Sequence, residues 1–200
     1  MRILKFILIG CFFVSFNQQV QATPKVERWG GIIKREGQFL LGLKSPTPMF
    51  LAQIEQESSG NEKNTASDGG MGLAQMMPKT ADNLSQIFPE LGVPSPYNPT
   101  WAIRALIRYD TYLTGHVQGD DDCQRRAAAL KSYNAGLGYV LQAQKVSAHS
   151  GTWFGVTELV KTRQSPANFE ASRMYPRWII FKRQPHYAAW GNYTCSGIQP

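Results

Sequence analysis

Residues 47–58 read TPMFLAQIEQES, a stretch that predicts a helix with a proline in its first turn. At about 100° per residue, Phe50, Ile54 and Glu57 fall within roughly 60° of one another. Glu55 points more than about 90° away from that face, so we expect it to contact water. Glu57 continues an apolar stripe, and burial would raise the pKa of its carboxyl, as a general acid near neutral pH requires. On geometry alone, a glutamate at a frayed helix end, paired with a Lys or Arg, fits equally well.

The rest of the chain also shows helical signals, without a sustained alternation of period two. The predicted fold class is therefore mainly α, in a single domain. A polar, glycine-rich loop follows the first helix at residues 61–72, and the later predicted helices are residues 78–88, 100–113, 121–134, 139–146 and 169–182. We assign the domain to residues 47–200, and residues 23–46 carry no motif that indicates a role.

The first 22 residues are typical of a secretory signal peptide. A basic start, Met1 to Lys5, precedes an apolar run from Phe6 to Phe16 and a small-residue cleavage site ending at Ala22. The run of about eleven residues is too short to span a membrane. An alternative is a lipoprotein-processing box ending at Cys11, but the apolar run continues beyond it. We therefore predict export to the periplasm or cell envelope without lipid anchoring.

Composition and charge are those of an ordinary globular protein with a mildly basic surface. The 200 residues are 42% hydrophobic and 18% charged, with a net charge of +7. An exported basic protein suits an anionic polymer such as cell-wall glycan carrying peptide carboxylates. The basic residues are scattered rather than clustered, so charge alone decides little, and a merely solvated basic surface fits at least as well. We predict no nucleic acid partner.

Cysteine and histidine positions restrict the covalent and metal chemistry. Cys123 and Cys195 would remain after export, and an even pair in an oxidising compartment predicts a disulfide, with two buried thiols as the alternative. The three histidines form no ligand cluster at helical spacing, and we predict no metal and no cofactor. Three acids at residues 120–122 open a predicted helix, where they would complement its N-terminal dipole.

A second polar residue lies on an apolar stripe. Cys123, Ala127, Leu130 and Asn134 share one face of the predicted helix 121–134. A buried amide must find hydrogen-bond partners. Asn134 is therefore either a satisfied structural amide or a group that holds a sugar, and spacing alone leaves both open.

Four motifs, in order, resemble those of the soluble lytic transglycosylases of the goose-type lysozyme superfamily. That family carries Glu-Ser, then Gly-Leu-Met-Gln, then Ala-Tyr-Asn, then a C-terminal tyrosine. Here the motifs are Glu57-Ser58, Gly72-Leu73-Ala74-Gln75, Ser132-Tyr133-Asn134 and Tyr175. The departures are Ala74 for Met and Ser132 for Ala, and neither removes a proton donor. The resemblance covers roughly residues 47–177, and the C-terminal part is similar to a subgroup often encoded on phages and conjugative elements.

The resemblance implies a lysozyme-like domain that acts on peptidoglycan glycan strands. Glu57 would protonate the glycosidic oxygen between N-acetylmuramic acid and N-acetylglucosamine and then accept a proton from the muramoyl 6-hydroxyl, which leaves a 1,6-anhydro end. Tyr175 would lie near Glu57 and orient it. The residues expected to position the sugars are Ser58, Gln75, Tyr133, Asn134 and Tyr175. We expect a monomer, with envelope-spanning secretion or conjugation machinery as the candidate partner.

Two other functions fit the same residues. A muramidase on this fold would hydrolyse the bond and would need a second carboxylate to direct water, for which Asp68 is the candidate. Asp68 beside Gly69-Gly70 is also a typical turn residue. A non-catalytic wall-binding or scaffold module would keep the groove without turnover.

Overall fold

The computed structural model describes residues 23–195, and this part of the chain is helical. The predicted signal peptide, including Cys11, lies outside the described residues. A short turn at Pro24–Glu27 precedes seven longer helices: α1 Gly30–Leu41, α2 Thr47–Ser58, α3 Pro78–Ile87, α4 Pro99–His116, α5 Asp122–Ala135, α6 Leu137–Val146 and α7 Pro166–Arg177. The described residues form two isolated β-bridges and no longer strand. None of their helices is long and apolar enough to cross a membrane.

Helix α2 lies at the centre of the molecule. Its residues from Thr47 to Ile54 are all buried, which is typical of a helix surrounded by other elements. It packs against α1 and against two segments near the C-terminus, a π-helical segment at Trp178–Arg183 and a 3₁₀ segment at Gln184–Trp190. The sequence pattern of the first predicted helix is therefore confirmed, with the bounds expected.

The region that carried no recognisable motif contains α1. This helix packs against α2 and α4 and contributes Ile33 to the core. Three glycines lower the helical propensity of its sequence, which is why the pattern was not visible. Two of them are needed for packing, since a side chain at Gly30 would clash with the Trp190 ring and one at Gly37 with Ser45.

Three other predicted helices have different bounds in the structure. Helix α4 continues to His116, and α6 begins at Leu137, so Gly138 lies inside it instead of breaking the chain. The predicted helix 169–182 is two elements, α7 and the π-helical segment. Pro176 explains the change, because it lacks an N–H and disrupts the helical hydrogen-bond ladder at that turn. The acids before α5 act as expected, with Asp121 accepting from the Gln124 N–H at 2.8 Å.

The C-terminal 3₁₀ segment covers the side of α2 on which Glu55 lies. The Tyr187 hydroxyl donates to Glu55 Oε2 at 2.8 Å, and His186 Nδ1 is 3.4 Å from the same oxygen. The expectation that Glu55 contacts water is wrong, since only 15% of its side chain is exposed. Beyond this segment, a disulfide joins Cys195 to Cys123 in α5, with Cα atoms 4.8 Å apart.

Candidate active site

Glu57 lies in the last turn of α2, at the wall of an open polar cavity. The cavity has a volume of about 260 Å³. The residues that line it come from α2, the loop after it and α5: Glu57, Ala66, Asp68, Gly70, Gln75, Met77, Tyr133 and Asn134. Of the predicted site residues, Glu57, Gln75, Tyr133 and Asn134 therefore meet at one cavity.

The surroundings of Glu57 favour its neutral form. The pKa of its carboxyl is raised to about 8, mainly by burial and to a smaller extent by the nearby carboxylates of Asp110 and Asp68. The Tyr175 hydroxyl donates a hydrogen bond to Glu57 Oε1 and acts in the opposite direction, stabilising the carboxylate. At neutral pH the carboxyl is therefore mostly protonated and has one fixed partner.

Tyr175 bonds Glu57 from the protein interior and does not line the cavity. Its side chain is 3% exposed and comes from α7, 118 residues further along the chain. Burial and the charge of Glu57 both raise the pKa of the Tyr175 hydroxyl well above its usual range. The hydroxyl thus stays a proton donor in this hydrogen bond at every pH at which the protein would work.

The loop between α2 and α3 is fixed by hydrogen bonds to its own backbone. The Gly72 N–H donates to Asn64 O at 2.8 Å, and Gly72 has a φ of +69°. A side chain at Gly72 would clash with the Pro96 carbonyl oxygen, so this position requires glycine on two grounds. Gln75 also has a positive φ, +45°, and its Nε2 donates to Gly72 O at 2.8 Å.

Three predicted sugar-binding side chains also stabilise this loop. Ser58 is buried and donates to Leu73 O at 2.9 Å, and it does not line the cavity. The Tyr133 hydroxyl donates to Ala74 O at 2.7 Å. With its Nε2 already engaged, Gln75 offers a ligand only its Oε1. The resemblance identified these three residues. In the structure, Ser58 and Tyr133 attach the loop to α2 and α5, and Gln75 bonds within the loop.

The cavity is also lined by Asn134 and Asp68. Asn134, expected to be buried, is exposed, because it lies in the last turn of α5 at the wall of the open cavity. Asp68 accepts from the Gly70 N–H at 3.2 Å, as expected of a turn residue, and it also lines the cavity. Within residues 23–195, no three His, Cys, Asp or Glu side chains are grouped to hold a metal ion.

Asp110 is a buried carboxyl beneath the site that sequence reasoning missed. It is 2% exposed and comes from α4, and burial raises its pKa to about 7. Gln53 Nε2 is 3.4 Å from Asp110 Oδ1, while Asp110 Oδ2 and Gln53 Oε1 have no partner among the described residues. Both unpaired atoms are acceptors, so a proton on Asp110 reduces the penalty of burying them.

Comparison with known proteins agrees with this geometry. Residues 41–154, more than half of the chain, match the family described as "Transglycosylase SLT domain". The chain belongs to the transglycosylase SLT domain family. A transglycosylase of Enterobacteria phage PRD1 is 33% identical over 108 residues, which are 52% of this chain and 35% of the phage protein. This SLT-domain chain thus spans about a third of the length of that relative.

Solved structures share the fold of this SLT-domain protein. The soluble lytic transglycosylase SLT70 from Escherichia coli superposes with a TM-score of 0.59 at 22% identity, over 83% of this chain and 25% of SLT70. The lytic transglycosylase Slt from Pseudomonas aeruginosa gives 0.61 at 22% identity, over 84% of this chain and 24% of Slt. The mainly α, lysozyme-like fold expected from the motifs is therefore confirmed.

Proposed function

We propose that this protein is a peptidoglycan lytic transglycosylase with Glu57 as its single general acid and base. The observation that carries the proposal is a glutamate at the wall of an open polar cavity, held by the Tyr175 hydroxyl in surroundings that raise its pKa to about 8. The substrate bond is the β-1,4 linkage between N-acetylmuramic acid and N-acetylglucosamine. Membership of the SLT domain family supports this substrate class.

The geometry suits a reaction in two proton transfers. The Glu57 carboxyl donates its proton to the glycosidic oxygen as the bond from that oxygen to C1 breaks. The resulting carboxylate keeps the hydrogen bond from Tyr175, which is strengthened when its acceptor is charged. The carboxylate then accepts the proton of the muramoyl 6-hydroxyl as O6 attacks C1. The product is a 1,6-anhydromuramoyl end, and Glu57 is protonated again.

Related structures provide two further points of support. The 70-kDa soluble lytic transglycosylase has been solved in complex with bulgecin A, so a protein of this fold accommodates a ligand. The Pseudomonas aeruginosa Slt structure is of an inactive variant in which a glutamate is replaced by glutamine. We assign the corresponding essential role to Glu57 in this chain.

Glu55 provides a matched control for the test, because it lies two residues away on the other side of the same helix. Purified peptidoglycan is treated with wild type, Glu57→Gln and Glu55→Gln proteins, and the soluble fragments are identified by mass spectrometry. We expect anhydro-muropeptides from wild type and Glu55→Gln, and a rate lower by a factor of about 100 or more for Glu57→Gln. Equal activity of the two variants would refute the role of Glu57.

A muramidase is the second candidate, and the position of Asp68 in the same cavity favours it. In that reaction Asp68 would direct water to C1, and the products would have reducing ends. Asp68→Asn would then abolish activity, whereas a transglycosylase should tolerate the change and still give anhydro ends. Folded protein that binds the wall and releases no fragments would instead indicate a wall-binding module.

Cellular location and partners are part of the proposal. We propose that residues 1–22 direct export to the periplasm or cell envelope, where the protein acts as a monomer on glycan strands. Envelope-spanning secretion or conjugation machinery is the proposed protein partner.

A further inference from the structure

Two of the three most exposed large apolar side chains among residues 23–195 lie four positions apart at the end of α1. Phe39 is 78% exposed, and Leu43, in the 3₁₀ turn Gly42–Lys44 that follows α1, is 83% exposed. Removing such side chains from water is favourable, and apolar groups that stand together at a surface indicate an interaction site more often than single ones do. This end of α1 is therefore a candidate for contact with a partner.

Cations flank the apolar pair. Arg35 lies one helical turn before Phe39, on the same exposed side of α1, and Lys44 directly follows Leu43. Lys34, beside Arg35, is exposed as well. We call these five residues, Lys34, Arg35, Phe39, Leu43 and Lys44, the α1 face.

A single acid of α1 opposes these cations. The Oε1 of Glu36 lies 3.6 Å from Arg35, and its Oε2 lies 3.7 Å from Arg104, so one carboxylate is shared between two arginines. Lys34 and Lys44 form no ion pair with any residue in the described part of the chain. The α1 face therefore carries a net positive charge beside its apolar pair, which suits an anionic partner.

The end of the described chain adds an aromatic group near this face. Asn192 Nδ2 donates to Leu43 O at 2.8 Å, which attaches the residues after the C-terminal 3₁₀ segment to the turn at Leu43. Tyr193 follows directly and is 37% exposed. Tyrosine is enriched where an apolar phase meets water, because its ring is apolar and its hydroxyl is polar.

Helix α2 separates the α1 face from the candidate active site. Leu43 and Lys44 lie just before α2, which begins at Thr47, whereas Glu57 lies in its last turn. At a rise of 1.5 Å per residue, the two ends of this helix are about 15 Å apart. A partner bound at the α1 face therefore contacts the end of α2 that is remote from the Glu57 cavity.

We propose that the α1 face binds the surface of an anionic lipid bilayer. Phe39 and Leu43 enter the boundary between headgroups and acyl chains, and Arg35 and Lys44 contact the phosphates. Exposed Phe and Leu accompanied by Lys and Arg are typical of segments that lie at a bilayer surface. Lysine is depleted at protein–protein interfaces, which disfavours a protein as the partner. The proposal goes beyond the proposed function and does not depend on the chemistry of Glu57.

Cosedimentation with vesicles tests the proposal. The protein is purified after export, and its N-terminus is checked by mass spectrometry so that residues 1–22 do not contribute. It is mixed with vesicles of phosphatidylglycerol and phosphatidylcholine in equal amounts, or with vesicles of phosphatidylcholine alone. We expect binding to the anionic vesicles to be stronger by about tenfold or more, and to weaken as salt is added.

Substitutions locate the binding surface. Phe39→Ser and Leu43→Ser should each lower the partition coefficient about tenfold, the effect of one apolar side chain that no longer leaves water. Lys44→Gln should lower it about fivefold on anionic vesicles and leave binding to phosphatidylcholine unchanged. Val146→Ser is the matched control, because Val146 is also exposed and follows a lysine but ends α6, which packs against α5. It should bind like wild type, and melting temperatures check that every variant is folded.

Two results would overturn the proposal: no binding to anionic vesicles, or binding that Phe39→Ser and Leu43→Ser leave unchanged. Sedimentation velocity without vesicles tests a second copy of the chain as the partner. Self-association that both substitutions reduce, together with a lack of vesicle binding, would assign the α1 face to an interface between copies.

Glu57→Gln separates this proposal from the proposed function. This variant should bind anionic vesicles like wild type, and Phe39→Ser should cleave solubilised glycan strands at the wild-type rate. Vesicle binding that depends on Phe39 and Leu43 supports the assignment of the α1 face even if wild type cleaves no strand. Wild type that cleaves strands and ignores anionic vesicles contradicts the assignment of the α1 face alone.

Discussion

The two glutamates of α2 lie in different surroundings although each accepts a hydrogen bond from a tyrosine. Glu57 accepts from Tyr175 and faces an open cavity. Glu55 accepts from Tyr187 at 2.8 Å, has His186 3.4 Å away, and is covered by the 3₁₀ segment at Gln184–Trp190. Both carboxyls therefore have a tyrosine partner, and access to a cavity is what distinguishes Glu57, the proposed catalytic acid, from Glu55.

On one side of α2, the Tyr175 hydroxyl bonds one carboxyl oxygen of Glu57, and the carboxyl group remains accessible to a ligand in the cavity. On the other side, both partners of Glu55 come from the C-terminal segment Gln184–Trp190. The Glu55 carboxyl therefore attaches this segment to α2. The comparison predicts that substitutions around Glu57 change rate and pH dependence, whereas those around Glu55 change stability.

The largest effect expected on the Glu55 side comes from the disulfide beyond the covering segment. Replacing Cys123 and Cys195 by serine opens a loop that spans 72 residues. On the chain-entropy description, the free energy of unfolding falls by about 4 kcal/mol. We expect the double variant to release the same anhydro products below its lowered melting temperature. Reductant should destabilise wild type and leave the variant unaffected, and a variant as stable as wild type would contradict the prediction.

Asp110, beneath Glu57, should make stability depend on pH. The pKa of Asp110 is raised to about 7 in the folded state. Its contribution to stability is therefore fully present at pH values below the pKa of Asp110 in the unfolded chain, and it is lost as pH rises through 7. Asp110→Asn removes that loss and should stabilise the protein relative to wild type by up to ~4 kcal/mol at pH 9.

The measurement for Asp110 is denaturant unfolding at pH 5 and pH 9. Ionisation of Glu57 also lowers stability as pH rises in both proteins, so the difference between them reports Asp110 together with its effect on the pKa of Glu57. Asp82→Asn, at an exposed position of α3, is the control and should follow wild type. If wild type and Asp110→Asn show the same dependence on pH, Asp110 is ionised without penalty and our account of it is wrong.

Tyr175→Phe should alter catalysis and leave the fold in place. In the proposed mechanism the hydroxyl stabilises the Glu57 carboxylate formed after proton donation, so its loss should lower kcat by about 10- to 100-fold. Because this hydrogen bond lowers the pKa of Glu57, removing it should move the alkaline limb of the pH–rate profile to higher pH. The profile is measured with solubilised glycan strands, and a shift to lower pH would contradict the assignment.

Periodicity within single helices predicted much of this molecule. The bounds of α2, the exposed loop after it and the apolar face of α4 follow from local patterns. Glu57 was found as a carboxyl on an apolar stripe. The same rule would have found Asp110, which follows Ile107 by three residues and precedes Leu113 by three on the buried face of α4.

The covering of Glu55 could not be predicted in this way. Tyr187 lies 132 residues from Glu55 along the chain, and nothing in the periodicity of α2 reveals that a distant segment packs on it. The roles of Ser58 and Tyr133 in holding the loop were hidden for the same reason. A motif shows which residues recur together, whereas the direction of each hydrogen bond depends on tertiary structure.

The smallest expected effect tests the comparison most directly. Tyr187→Phe removes the hydroxyl that donates to Glu55 and keeps the buried ring, just as Tyr175→Phe does at Glu57. We expect the free energy of unfolding to fall by about 1 kcal/mol, the usual net contribution of one hydrogen bond, with kcat and the pH–rate profile unchanged. Unfolding in denaturant and initial rates are measured on the same preparation. A change in the pH–rate profile would show that the two sides of α2 are coupled, and the separation of catalytic and structural roles would no longer hold.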